Sequence, residues 1–191
     1  MCGIFGIVTQ KEQPLGQILT DAAERLTYRG YDSVGAATLS GAKIDLRKDV
    51  GRVKDVAAQY HFAEMTGQRG ITQLRWATFG EPSQVNSQPH LDSDGDLVGA
   101  HNGNVVNNVE LRQQFMAEGM TVRSMNDGES CVHAVERYLN RGEDFIQAIR
   151  DERRPKRRLR PLHAQGNSRA GAGGARSAEH AQRLAGCCGS D

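Results

Sequence analysis

The sequence predicts an α+β domain over about residues 1–150, followed by a tail of different composition. Short apolar runs in this first part alternate with segments in which apolar residues recur at helical spacing. Of the 191 residues, 38% are hydrophobic, which is enough for one sizeable core. No apolar run approaches the roughly 20 residues that a membrane-spanning helix needs. We therefore expect one globular domain with no membrane partner.

The cysteines and the first residues indicate the compartment. Cysteine occurs at positions 2, 131, 187 and 188, a spacing that is typical of neither a disulfide framework nor a zinc site. The opening MCGIFGIVTQK has no basic lead, and its apolar stretch is too short for a signal peptide. We expect a cytoplasmic protein that uses no metal and no cofactor.

The first half of the domain predicts a strand, a helix and a hairpin. Residues 4–9 are a short apolar run, which indicates a strand. After Pro14 the apolar residues repeat at i, i+3, i+4 and i+7, which predicts one buried helix face. This face consists of Leu15, Ile18, Leu19, Ala22, Ala23 and Leu26. Residues 34–39 and 44–47 indicate two strands joined by a turn at Ser40 and Gly41.

The second half predicts two more strands and three helices. A strand over 70–76 leads into a loop over 78–89 that is rich in Gly, Pro, Ser and Asn. Another strand over 97–101 runs into a turn at Asn102 and Gly103. Helices are predicted over 108–118 and 129–139, with a further one that begins near Glu143.

Residues 151–191 differ in composition from the rest of the chain. They contain nine basic and four acidic residues, and their only large aliphatic residues are Leu159, Leu162 and Leu184. Such a segment buries too little apolar surface to offset the entropy of ordering, so we predict a disordered basic tail. Two other interpretations stay open. RRPKRRLR could be a nucleic-acid patch, although we do not expect a nucleic-acid partner, or the tail could be an out-of-frame translation.

The second residue suggests nucleophilic chemistry. Removal of Met1 would leave Cys2 with both a thiol and a free α-amine, followed by Gly3 and a strand. An α-amine titrates near pH ~7.7–8.0, so it can act as general base for its own thiol. Taken alone, Met-Cys-Gly is weak evidence for such a site.

Five ordered motifs accompany Cys2. They are MCGIFGIV at the start, YRGYDSVG at 28–35, RWATFGEPSQVNSQPH at 75–90, HNGNVVNNVELR at 101–112 and NDGES at 126–130. In order and spacing they resemble the glutaminase domain of class II glutamine amidotransferases, which are N-terminal-nucleophile hydrolases. Among these enzymes, YRGYDS and RWATxGEPS resemble the version in the glutamine–fructose-6-phosphate aminotransferases. The resemblance implies a four-layer α/β/β/α sandwich, incomplete at its C-terminus, with L-glutamine as substrate.

The resemblance also implies roles for individual residues. The catalytic group is Cys2 as nucleophile with Asn102 and Gly103 as the oxyanion hole, and the substrate-binding group is Arg75, Trp76, Thr78, Asp127 and Arg29.

These roles agree with the chemistry of the residues. An amide side chain and a main-chain N–H in a tight turn can both stabilise a developing oxyanion, although Asn-Gly is also an ordinary turn sequence. The planar fork of Arg75 fits an α-carboxylate, whereas a surface ion pair is the plainer interpretation. Asp127 can attract the substrate ammonium, can cap the following helix, or can do both. Arg29 either braces the site near Cys2 or is purely structural.

The chain departs from the family pattern at three places. Phe79 stands where a His is common, and Gly128 stands where a Thr often follows the Asp; we expect altered loop behaviour rather than lost activity. The pattern ends at about residue 150, before further glutaminase strands and two sugar-isomerase domains. Fructose 6-phosphate would bind only through those domains. We therefore expect a truncated or frameshifted segment that gives at most glutamine hydrolysis.

Two alternatives stay open. One is a glutaminase domain of an amidophosphoribosyltransferase-like enzyme, which shares the HNGNVVN-like segment. The other is a non-catalytic remnant with a basic binding tail.

Overall fold

Strands and helices follow one another as two groups in a computed structural model that describes residues 2–77, 80–152 and 183–188. The strands are β1 (Gly3–Pro14), β2 (Ser33–Ser40), β3 (Lys43–Val50), β4 (Thr66–Arg75), β5 (His90–Leu91), β6 (Leu97–Asn102) and β7 (Arg183–Cys188). The helices are α1 (Gly16–Arg25), α2 (Val53–Gln59), α3 (Asn108–Ala117), α4 (Gly128–Asn140) and α5 (Phe145–Glu152). Two short 3-10 turns cover Thr27–Arg29 and Phe62–Glu64.

The strands form two sheets. The first is antiparallel, in the order β1-β4-β2-β3, and the second has the order β5-β6-β7. In the second sheet β5 pairs with β6 antiparallel, and β7 pairs with β6 parallel. The register pairs Gly3 of β1 with Leu74 of β4, and Ser33 of β2 with Arg75 of β4. The start of the chain, the end of β4 and the start of β2 therefore lie together at one end of the first sheet.

Three apolar clusters define four layers. One cluster packs α1 and α2 onto the outer face of the first sheet, with Leu19 and Val56 against Leu74. A second lies between the two sheets, where Ile71 and Val98 are buried. A third packs α4 and α5 onto Leu97, on the outer face of the second sheet. The order helix, sheet, sheet, helix confirms the α/β/β/α sandwich that the sequence resemblance implies.

Most of the predicted elements are confirmed with shifted ends. β1 extends beyond the predicted 4–9 to Pro14, β4 begins at Thr66, and α4 begins one residue earlier than predicted, at Gly128. The sequence analysis missed α2 and β5. The helix α2 has only seven residues, of which Val53 and Val56 are buried, and so short a segment gives little periodicity.

Within the tail, the described residues 183–188 form the strand β7. β7 lies within the segment for which the sequence predicts disorder, so that prediction is corrected at residues 183–188. The physical reason is that an unpaired strand edge offers a row of main-chain donors and acceptors. The sequence LAGCC that follows Arg183 carries no charge and no proline that would prevent pairing. Residues 153–182, and with them the basic run RRPKRRLR, lie outside the described part of the chain. Across the described residues, no helix has the length and hydropathy that crossing a bilayer requires.

The inward face of α4 carries a buried ion cluster. Glu129 and His133 are 1% and 0% exposed, and His133 Nδ1 lies 2.7 Å from an oxygen of Glu136. Burial disfavours the imidazolium, but the hydrogen bond with Glu136 and the ion pair with Glu129, 3.6 Å from Nε2, outweigh it and raise the pKa of His133 to about 9. Burial also disfavours the Glu129 carboxylate, yet donors from His133, Arg123 and Ser124 lower its pKa to about 2.

These shifts predict a pH-dependent stability. The folded pKa of His133 lies above the ordinary 6.5, so its contribution is complete below pH 6.5 and is lost as pH rises toward 9. Three buried or partly buried groups act in the opposite direction over this range, because burial lowers the pKa of His90 to about 3, that of Lys48 to about 8 and that of His101 below its ordinary value. Because these groups offset part of the loss from His133, we expect the free energy of unfolding to fall by on the order of 1 kcal/mol or less between pH 6.5 and 8. Urea unfolding at both pH values measures it.

The matched control is His133→Gln, which cannot carry a positive charge. This variant should be less stable at pH 6.5 and should lose the decrease between pH 6.5 and 8. An equal decrease in the variant and the wild type would show that another group titrates.

Candidate active site

The Cys2 thiol lies at the end of β4. The Trp76 main-chain N–H donates to Cys2 Sγ at 3.3 Å, and the thiol donates to the Trp76 carbonyl at 3.7 Å. Because Gly3 pairs with Leu74, the register places Cys2 opposite Arg75. The thiol is partly exposed and forms no disulfide. The thiol is thus held against the main chain while it stays accessible.

Arg75 is the largest fully buried side chain among the described residues, with 1% exposed. One guanidinium nitrogen, Nη2, donates to the Gly80 carbonyl at 2.8 Å. Burial lowers the pKa of Arg75, whereas the nearby Cys2, Asp32 and Asp127 raise it. Arg75 therefore lies close enough to both the Cys2 thiol and Asp127 to interact with them electrostatically.

Asp32 braces the segment that holds Cys2. Its carboxylate accepts from the Ala77 N–H at 2.7 Å, and its own N–H donates to the Arg75 carbonyl at 3.1 Å. Its carbonyl accepts from Gly51 N–H at 3.0 Å. These bonds fix residues 75–77 on either side of Trp76. The sequence analysis did not single out Asp32, although YRGYDS contains it.

Asn102 ends β6, and Gly103 follows in the turn. Asn102 Oδ1 accepts a hydrogen bond from Gln73 Nε2 at 3.3 Å. Gly103 has φ of +152°, a conformation in which L side chains are strained. A Cβ there would also lie 2.9 Å from the His101 ring. The turn therefore requires glycine at this position, as the sequence prediction of an Asn-Gly turn implies.

Asp127 is buried just before α4. It occupies the position of a helix cap, but its side chain makes no capping hydrogen bond. One oxygen instead accepts from the Val105 N–H at 2.8 Å, which ties α4 to the loop after Gly103. Of the two interpretations made from the sequence, capping is thus wrong for the side chain. The charge of Asp127 acts on Arg75 and on His101, whose pKa burial lowers and Asp127 raises.

The remaining predicted residues are placed differently. Trp76 is 44% exposed, and its ring meets Tyr31 edge to face with centroids 5.4 Å apart. Arg29 donates from Nε to the hydroxyl of Tyr28 at 3.2 Å and lies over that ring. Thr78 lies outside the described residues, as does Phe79. The structure thus brings Cys2, Arg75, Trp76 and Asp127 close to one end of the first sheet. The Arg29 guanidinium instead contacts the neighbouring Tyr28.

Two further side chains reach Asn102 and its neighbour. Gln73 is 0% exposed and bonds to Asn102, as described above, while Gln88 is 3% exposed and bonds to His101. A single glutamine within a strand or a loop belongs to no recognisable motif. Gln73 and Gln88 are therefore identified only by their hydrogen bonds to a distant segment of the chain. In the described part of the chain, no group of three or more His, Cys, Asp or Glu side chains could hold a metal ion.

Comparison with known proteins identifies the family to which this region is similar. Residues 74–151 match a family model described as a glutamine amidotransferase domain. A glutamine–fructose-6-phosphate aminotransferase (isomerizing) from Pyrobaculum aerophilum is 42% identical over 152 residues, which cover 78% of this chain and 25% of the relative. The corresponding protein of Vibrio parahaemolyticus is 38% identical over 150 residues, which cover 78% of this chain and 24% of the relative. The chain thus spans about a quarter of the length of these relatives.

The solved structures agree on the fold. The glutamine phosphoribosylpyrophosphate amidotransferase of B. subtilis, solved with ADP and GMP, superposes with a TM-score of 0.62 at 26% identity. The match covers 78% of this chain and 32% of that one. With the five motifs, the four layers and a thiol at the end of β4, these likenesses lead to one conclusion: the chain belongs to the class II glutamine amidotransferase domain family, and its sequence is homologous to the glutaminase domain of glutamine–fructose-6-phosphate aminotransferases.

Proposed function

We propose that the chain hydrolyses the side-chain amide of L-glutamine, with Cys2 as nucleophile. The observation that carries this proposal is the thiol held at 3.3 Å by the Trp76 N–H, beside the buried cation of Arg75 and close to Asp127. Glutamine presents an amide to attack at one end and a carboxylate and an ammonium at the other. Arg75 and Asp127 supply the opposite charges for that second end.

The reaction proceeds in two halves. After Met1 is removed, the α-amine takes the proton of the Cys2 thiol, and the thiolate attacks the side-chain carbonyl carbon of glutamine. The Asn102 amide and the Gly103 N–H stabilise the oxyanion as it develops. The amide nitrogen takes that proton from the Cys2 α-ammonium and leaves as ammonia, so a thioester remains on Cys2 and the α-amine is again a free base. Water attacks the thioester, and glutamate and the free thiol are released.

Arg75 binds the α-carboxylate as a planar fork, and Asp127 attracts the ammonium. Trp76 and Thr78 shape the pocket beside them, and Arg29, whose Cβ lies 3.6 Å from a Cβ built on Gly3, braces the segment next to Cys2. The proposed mechanism needs a reduced thiol, which a cytoplasmic location would preserve.

We further propose that the ammonia serves amino transfer to fructose 6-phosphate, as the names of the relatives indicate. Since the match covers about a quarter of those relatives, we assign to residues 1–150 only the glutamine half of the reaction, and to residues 151–191 no part in it. The 42% identity to an aminotransferase, against 26% to the phosphoribosyl enzyme, favours fructose 6-phosphate over a phosphoribosyl acceptor.

The test is to incubate the purified chain with glutamine, with and without fructose 6-phosphate, and to assay glutamate and hexosamine separately. We expect glutamate in both mixtures and hexosamine in neither. A folded chain that lacks Met1 by intact mass and yet releases no glutamate would contradict the proposed function and support a non-catalytic domain.

Arg75→Lys is expected to raise KM for glutamine by about tenfold or more and to change kcat less, because lysine reduces a two-point contact to one. The α-carboxylate is held in both the ground state and the transition state, so the loss falls on binding. Steady-state kinetics measure both constants. Arg69→Lys, on the same strand and exposed, is the control, and an unchanged KM in the Arg75 variant would remove Arg75 from the site.

A further inference from the structure

Two buried glutamine side chains hold the Asn102 segment from different directions. Gln73 contacts the Asn102 side chain, and Gln88 contacts the main chain of the preceding residue. We propose that Gln73 and Gln88 are positioning residues that orient the Asn102–Gly103 turn toward the Cys2 thiol. This inference rests on the proposed glutamine hydrolysis and names what prepares its oxyanion site.

Gln88 replaces a missing pair of strand hydrogen bonds. The ladder between β5 and β6 pairs His90 with Gly99, so the same register would set residue 88 opposite His101. Pro89 has no N–H, and the ladder ends at His90. The Gln88 carboxamide instead accepts from the His101 N–H at 2.7 Å and donates to the His101 carbonyl at 3.0 Å. The main-chain N–H and carbonyl of His101 are thereby both paired by one side chain.

The start of α4 leaves room for this carboxamide. A Cβ on Gly128 would lie 3.0 Å from Gln88 Nε2 and 2.8 Å from Asn126 Oδ1. Neither atom can move cheaply, because Gln88 holds His101 and Asn126 Oδ1 accepts from the Gly128 N–H at 2.8 Å. Gly128, which departs from the family pattern, is thus matched to Gln88. A residue with a side chain there would require the carboxamide to shift by a few tenths of an ångström.

Gln73 selects which end of the Asn102 amide faces the nucleophile. Along β4, Gln73 and Arg75 point to the same face, and the register sets them opposite Ile4 and Cys2. Gln73 Nε2 donates to Asn102 Oδ1 at 3.3 Å, so the Asn102 oxygen is turned toward Gln73. Its NH2 group is then the end left to donate to an oxyanion formed at Cys2.

The decisive variants remove each carboxamide at nearly constant length. Gln73→Met and Gln88→Met should each lower kcat for glutamine hydrolysis about tenfold or more and change KM less than about threefold, since only the transition state carries the oxyanion. Gln84→Met is the matched control, because Gln84 is exposed and its amide bonds to the hydroxyl of Tyr60. Gln73→His keeps an N–H donor and should recover most of kcat, whereas Gln73→Glu, of equal length without a donor, should not.

Amide hydrogen exchange separates this inference from the proposed function, since it needs no activity. Exchange of the His101 N–H should be at least about tenfold faster in Gln88→Met than in the wild type, at equal global stability by urea unfolding. Unchanged exchange at His101 would overturn the role of Gln88. A loss confined to KM, or a Gln73→His variant no better than Gln73→Glu, would overturn the role of Gln73. Absence of glutamate release by the wild type, with protected His101, would instead contradict the proposed hydrolysis.

Discussion

Cys2→Ala is expected to abolish glutamine hydrolysis, with a fall in kcat/KM of about 10³-fold or more. The substitution removes only the sulfur, which is partly exposed and has two long contacts with the Trp76 main chain. Stability should therefore change little, and urea unfolding of the variant should resemble that of the wild type. Glutamate release measured at saturating glutamine gives the loss of activity.

Cys131→Ala is the matched control for this variant. Cys131 is a buried thiol on α4, so its removal should cost about 1 kcal/mol of stability through lost packing but leave hydrolysis in place. A glutamine-like electrophile such as 6-diazo-5-oxo-L-norleucine should label Cys2 and spare Cys131, Cys187 and Cys188. Glutamate release by Cys2→Ala near the wild-type rate, or even labelling of all four thiols, would remove Cys2 from the reaction.

The layered fold could be predicted because its signals are local or carried by motifs. The helical spacing from Leu15 to Leu26 predicts α1, and alternation around Ser40 and Gly41 predicts the hairpin of β2 and β3. The order of the two sheets came from the resemblance, since local patterns do not say which strands pair. β7 could not be predicted, because its pairing depends on the open edge of β6 and not on its own composition.

The candidate site likewise contains residues that the sequence could identify and others that it could not. Cys2, Arg75 and the Asn102–Gly103 turn are recognisable because their residue types suit the chemistry and stand within motifs. Gln73 and Asp32 could not be recognised in this way. Gln73 on β4 bonds to Asn102 on β6, and Asp32 in the loop before β2 accepts from the Ala77 N–H, so both contacts join segments that are distant in sequence. A single sequence does not show which distant segments pair. Residues that contact a site from another segment therefore cannot be identified from it, whereas candidate reacting residues can be identified by their type and motif.

The Asp127 side chain shows a further limit of sequence reasoning. Its position just before α4 favours a cap, and Asp is a common capping residue. In the structure the carboxylate bonds to the Val105 N–H instead and lies close enough to Arg75 to offset part of the lowering of its pKa by burial. The hydrogen bond to the loop after Gly103 and the charge of the buried Arg75 outweigh the local preference for helix capping. The same carboxylate therefore connects the loop after Gly103 with the buried Arg75.

Asn102→Ala is expected to lower kcat for glutamine hydrolysis by about 10²- to 10³-fold with little change in KM, because the amide donates to an oxyanion that exists only in the transition state. Asn102→Asp, of nearly equal size, should lose at least as much, since an ionised carboxylate cannot donate and repels the developing charge. Asn104→Ala is the control, since Asn104 is exposed in the same loop. The measurement is steady-state glutamate release by the three variants at several glutamine concentrations. If Asn102→Ala kept the wild-type kcat, or if Asn104→Ala lost as much, the oxyanion would be stabilised by other groups, and the Gln73 and Gln88 contacts would have only a structural role.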